Sequence, residues 1–109
     1  MIGLALALVF QAEPQSNPMP AYADAVRCAG LTIAQYRAAG DESPESAEAL
    51  DTSLFWSLAV GERARKDGIK QKRFEKDVAD AADRAAGELA AGDAAAQAEL
   101  ARCEAHVPD

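Results

Sequence analysis

Residues 54–60 form the stretch that most limits how this chain can fold. Their sequence, LFWSLAV, holds the only Trp and one of the three Phe among the 109 residues. On a helix these large apolar side chains would point in nearly every direction, and such a helix is usually surrounded by others. We therefore expect residues 54–60 to lie in a central helix. Seven side chains are assigned to the core: Trp56, Phe55, Leu54, Leu58, Phe74, Tyr22 and Ile33.

Alanine dominates the rest of the chain, with 27 of the 109 residues. Alanine is the strongest helix former, and its small side chain lets helix axes approach closely. The chain lacks the sustained alternation of β-branched and polar residues that is typical of strands. A chain of this length suits one domain. The sequence therefore predicts an all-α fold, a small Ala-rich bundle of three to four helices over residues 21–106.

The N-terminus differs in character from this domain. Residues 1–10 are an apolar run, too short to span a bilayer. The run suits the apolar part of a signal peptide of residues 1–12, cleaved after Ala12. No Lys or Arg precedes it, so the alternative is an apolar arm that folds onto the domain. Residues 13–20 hold three prolines and are predicted to form an extended linker.

Turn and cap residues separate four predicted helices, at about 20–39, 44–67, 69–91 and 94–105. Ser43 and Pro44 suit the N-cap and first position of the second helix. Gly68 is expected to end that helix, as Gly40 ends the first. Gly92 and Asp93 suggest a break between the third and fourth helices, although one continuous helix is the alternative.

The only two cysteines, Cys28 and Cys103, fall in the first and last predicted helices. In an oxidising compartment, two cysteines of a small domain usually pair. We therefore predict a disulfide that joins the first helix to the last. Two reduced, buried thiols in a cytosolic protein are the alternative. A redox-catalytic role is not expected, because a Cys-x-x-Cys pair is missing.

Catalytic and metal-binding signatures are weak. Cys103 and His106 have chelating helical spacing, but structural zinc normally requires four ligands. His106 is the only histidine and sits near the terminus, and neither a nucleophile elbow nor a phosphate-binding glycine loop occurs. We expect no enzymatic activity, no metal and no cofactor.

Charge is distributed unevenly along the chain. The net charge is −7, which argues against general binding to nucleic acid or anionic membranes. Residues 63–76 nevertheless contain seven cations and two acids, a local net charge of +5. These cations form a candidate docking patch of Arg63, Arg65, Lys66, Lys70, Lys72, Arg73 and Lys76. The alternative is an ordinary solvated end of a helical hairpin.

Together these features favour a small exported protein, periplasmic or secreted, that binds another macromolecule without catalysis. A protein partner is expected, with no nucleic acid and no stable membrane insertion after signal cleavage. One alternative is a periplasmic acid-stress chaperone, since protonating many carboxylates would leave the chain strongly cationic. A cytosolic regulator with reduced cysteines is the other. Affinity for a hydrophobic dye near pH 3 would distinguish the chaperone.

Overall fold

The computed structural model describes residues 19–40 and 43–108, which form four helices and no strand. The helices are α1 (Tyr22–Ala39), α2 (Pro44–Asp67), α3 (Gln71–Ala90) and α4 (Ala94–His106). The predicted all-α bundle is confirmed. The predicted signal peptide, residues 13–18 of the predicted linker and residues 41–42 between the first two helices lie outside the described residues.

Local sequence accounts for the ends of the helices. The Ser43 side chain accepts a hydrogen bond from the Ser46 amide at 2.9 Å and caps α2. Asp93 caps α4 by accepting from the amides of Ala95 and Ala96. Gly92 has φ of 74°, a conformation that favours glycine, so α3 and α4 are separate helices.

The central helix is α1, and the expectation that α2 occupies this position is wrong. α1 packs against α2, α3 and α4. The residues of α1 that are buried against its neighbours lie on several sides of the helix and are small or medium in size. They are Ala25, Ala29, Gly30, Leu31, Thr32 and Ala34. Small residues on α1 let three helices approach it at once. The large apolar residues are concentrated in α2, whereas the small residues that allow a helix to be surrounded lie in α1.

Helix α3 approaches α1 very closely at Gly30. A Cβ atom built on Gly30 would lie 2.6 Å from the carbonyl carbon of Ala81 and 2.7 Å from its Cβ. Such contacts are impossible without moving the backbone of α3. Glycine costs stability inside a helix, and here its lack of a side chain allows the two helices to meet.

The assignment of residues 54–60 to the core is correct for only part of the stretch. Trp56 is buried, and Phe55 packs against the core from its edge, as do Tyr22 and Phe74. Ile33 is half-buried. Leu54 and Leu58 are exposed, so their assignment to the core is wrong. The reason is that α2 packs on the bundle through its other face, where Ala49, Ser53 and Val60 are buried.

Two interactions hold α4 against α1 and α2. Cys28 and Cys103 form the predicted disulfide, which closes a sequence separation of 75 residues. The Trp56 indole nitrogen donates a hydrogen bond to the carbonyl oxygen of Cys103 at 3.0 Å. The same segment of α4 is therefore bonded to both α1 and α2.

Charged groups add further links between the helices. The Arg27 guanidinium of α1 contacts the carboxylates of Glu88 in α3 at 2.7 Å and Glu99 in α4 at 2.6 Å. All three side chains are half-buried, so these pairs are less screened than ordinary surface pairs. No described helix is both long and apolar enough to cross a membrane.

Reducing the disulfide should destabilise the domain strongly. Opening a loop of this length removes about 4 kcal/mol in the chain-entropy model, a large part of a small domain's stability. We expect the melting temperature to fall by more than about 15 °C when reductant is added. The double variant Cys28→Ala/Cys103→Ala should melt at the lower temperature with or without reductant. Equal melting of the oxidised and reduced parent would contradict this role of the bridge.

Candidate functional site

The chain reverses direction between α2 and α3 within three residues. Gly68 ends α2 in a left-handed conformation with φ of 71° and ψ of 25°. The amide of Ile69 then donates to the carbonyl of Ala64 at 2.8 Å, and that of Gly68 donates to Arg65 at 3.3 Å. These two bonds form a Schellman motif, which closes the helix end. The short connection brings the last turns of α2 and the first turns of α3 to one end of a hairpin.

All seven cations of the predicted docking patch lie on this hairpin end, which we call the basic turn. Four of them pair with carboxylates of their own helix: Arg63 with Asp67, Arg65 with Glu62, Arg73 with Asp77, and Lys76 with Asp80. Lys66, Lys70 and Lys72 are exposed and make no salt bridge with any described residue. The predicted patch is therefore narrowed from seven cations to three lysines.

Arg73 has a structural role that its place in the patch did not suggest. Asp77 accepts hydrogen bonds from the Tyr22 hydroxyl at 2.7 Å and from Arg73 at 3.2 Å. The bond from Tyr22 and the neighbouring Arg73 charge lower the pKa of Asp77. Burial, together with the bond to Asp77, raises the pKa of Tyr22 to about 12. Arg73 thus supports a contact between α1 and α3.

A second surface feature lies on the outer face of α2. Leu50, Leu54 and Leu58 are 37%, 52% and 72% exposed. Their spacing of four residues places them in one row, which we call the leucine stripe. The opposite face of α2 carries the buried Trp56 and Val60. The four-residue spacing of these leucines can be read from the sequence. The apolar composition of residues 54–60 nevertheless led to the prediction that all sides of this helix are buried.

The face of α2 that packs on the bundle is partly polar. Thr52 and Ser53 are buried, and each hydroxyl donates to a backbone carbonyl of its own helix, at 3.0 and 2.9 Å. These bonds remove most of the cost of burying a hydroxyl. The polar groups on the buried face of α2 are therefore satisfied while the three leucines of the stripe point away from the core.

The disulfide lies beside an open cleft of about 360 Å³, whose lining includes Trp56, His106 and Arg27. The His106 ring lies 5.2 Å from that of Trp56, between ring centroids. The sulfur of Cys103 is consumed by the disulfide, so the zinc alternative loses a ligand. Among the described residues, no group of three or more His, Cys, Asp or Glu side chains could hold a metal ion.

The surroundings of Glu104 disfavour the ionised form of its carboxyl group. Partial burial raises the pKa of Glu104, and the nearby Glu48 carboxylate raises it further. Both side chains line a small cavity between α4 and α2, together with Thr52. Ionised Glu104 is therefore less favourable in the folded chain than in the unfolded chain.

The Glu104→Gln variant should be more stable than the parent at pH 7. A carboxyl group with a raised folded-state pKa contributes most stability below its unfolded pKa and loses it as the pH rises. The gain should be less than about 1 kcal/mol, because the group is partly solvated. Urea unfolding at pH 7 and pH 4 measures the difference, which should shrink at the lower pH. Glu48→Gln provides the matched test, since the double variant should gain less than the sum of the two single changes. A Glu104→Gln protein no more stable than the parent at pH 7 would contradict this interpretation.

Comparison with protein-family models, curated proteins and solved structures gives no match to this chain. Its function is therefore inferred from its own residues.

Proposed function

We propose that this chain is an exported, non-enzymatic helical protein that binds an acidic segment of another protein through Lys66, Lys70 and Lys72. The three lysines are exposed at the basic turn and have no carboxylate partner among the described residues, although the chain as a whole carries a net charge of −7.

Export is supported by the covalent chemistry of the domain. An intramolecular disulfide in a small domain is typical of an oxidising compartment. The apolar run at 1–10, followed by polar residues and prolines, has the composition of a signal peptide. A periplasmic or secreted location accounts for both features.

A protein partner fits the basic turn better than a nucleic acid does. Proteins that bind single strands place aromatic side chains between their cations so that bases can stack. Phe74 is the aromatic residue nearest in sequence to the three lysines, and it is packed against the core. The acids elsewhere in the chain would repel a polyanion at longer range, whereas a short acidic segment would meet only the lysines.

Replacing Lys66, Lys70 and Lys72 with Gln should slow association with the partner. The partner is first captured by cross-linking in the native periplasm, and association rates are then measured at low and high salt. We expect the parent to associate about tenfold faster or more than the variant at low salt, with convergence at high salt. Folding should be unaffected, since exposed charges contribute little to stability.

A matched control removes three cations elsewhere. Arg37, Arg84 and Arg102 are exposed and form no salt bridge with any described residue. Their replacement with Gln changes the net charge equally and should leave association close to the parent rate. Equal slowing in both triple variants would show a net-charge effect and contradict a local site. Binding of the parent to anionic vesicles, with no captured protein, would replace the proposed partner with a lipid surface.

A further inference from the structure

The leucine stripe is an apolar row that the described part of the chain leaves uncovered. Single exposed leucines are ordinary on protein surfaces. Here three occur at successive steps of four on one helix face, and their exposed fraction rises from Leu50 to Leu58. The row covers about 12 Å of helix. Its shape fits a second helix laid along α2.

The charges of α2 specify the direction of that second helix. Its N-terminal half carries Glu45, Glu48 and Asp51 and no cation. Its C-terminal half carries Arg63, Arg65 and Lys66 against two acids. A parallel copy of the same helix would place like charges together, whereas an antiparallel copy would place acids beside cations. Antiparallel packing also aligns the helix dipoles favourably.

We propose that the leucine stripe is covered by a second copy of this chain, with the two α2 helices packed antiparallel about a two-fold axis near Leu54. Such an axis uses the same surface on both copies, which is the commonest arrangement in homodimers. Leu54 meets its own equivalent, and Leu50 of one copy lies beside Leu58 of the other.

The two basic turns would lie about 40 Å apart, one at each end of the helix pair. Each dimer would thus present two sets of lysines to acidic segments of a partner, which raises avidity if both sites can engage. The leucine stripe and the three lysines are different groups of residues. The dimer therefore does not depend on the proposed partner at the basic turn, so either proposal can be wrong while the other is right.

Sedimentation velocity or light scattering of the full chain over a wide range of concentrations tests the dimer. The parent should approach twice the monomer mass as concentration rises. Leu54→Glu should remain monomeric where the parent is dimeric, with at least tenfold weaker association. Leu54 is half-exposed, and Glu is nearly as good a helix former as Leu, so circular dichroism should show an unchanged fold.

The matched control is Ala101→Glu, which adds the same charge on an exposed position of α4. It should dimerise as the parent does. A parent that stays monomeric at every concentration would overturn the proposal, including the case in which residues 1–10 cover the stripe instead. Equal loss of dimer in both variants would also overturn it, because added charge alone would then explain the result.

Site-specific cross-linking tests the direction of packing. Both native cysteines are consumed by the disulfide, so a new thiol is the only free one. A mixture of Leu50→Cys and Leu58→Cys chains should form mixed cross-linked dimers with a short thiol-reactive cross-linker. Leu58→Cys alone should cross-link poorly, because its two copies lie far apart in the antiparallel pair. Efficient cross-linking of Leu58→Cys to itself would show parallel packing and contradict the proposal.

Discussion

The close contact between α1 and α3 at Gly30 is the constraint on which the rest of the bundle depends. The backbone of Ala81 occupies the space that a side chain at Gly30 would need. With α3 this near, the half-buried link from Arg27 to Glu88 and the bond from Tyr22 to Asp77 both fall within reach. These polar contacts fix the position of α3 along α1, because each joins a defined pair of residues.

A chain so rich in alanine has few large side chains with which to fill a core, and its helices compensate by packing closely. Burial on α1 comes mainly from Ala, Gly and Thr, with Leu31 as the large exception. Close backbone packing gives many weak dispersion contacts but little apolar area per residue. The disulfide between α1 and α4 and the hydrogen bond from the Trp56 indole to Cys103 add stability that the small apolar core does not supply. Within residues 19–40 and 43–108, the outer face of α2 takes no part in these contacts.

The sequence specified local structure well and tertiary burial less well. The bounds of α2, its Ser43 cap and its Gly68 end follow from short-range chemistry, and all were predicted correctly. The disulfide followed from having two cysteines in a small domain. The identity of the central helix did not follow, because the large apolar residues lie in α2, whereas it is the small residues of α1 that allow it to be surrounded.

In the candidate site, too, local features could be predicted from the sequence and contacts between helices could not. The clustering of seven cations was evident from the sequence, and the short turn at Gly68 brings them to one end. Three of their four salt bridges join residues four apart, such as Lys76 and Asp80, so this pairing was also within reach of the sequence. The bond from Tyr22 to Asp77 was not, because it depends on how α1 and α3 align.

Helices α1 and α3 meet where Gly30 lacks a side chain, and one pair of variants tests this contact directly. Gly87 is also helical but has open space where a Cβ would lie. Gly87→Ala should raise the free energy of unfolding by about 0.5–1 kcal/mol, through helix propensity alone. Gly30→Ala should lower it by about 1–3 kcal/mol, because the new methyl group forces the backbone of α3 away. Urea unfolding of both variants beside the parent measures the two changes, and stabilisation by Gly30→Ala equal to that by Gly87→Ala would contradict the account.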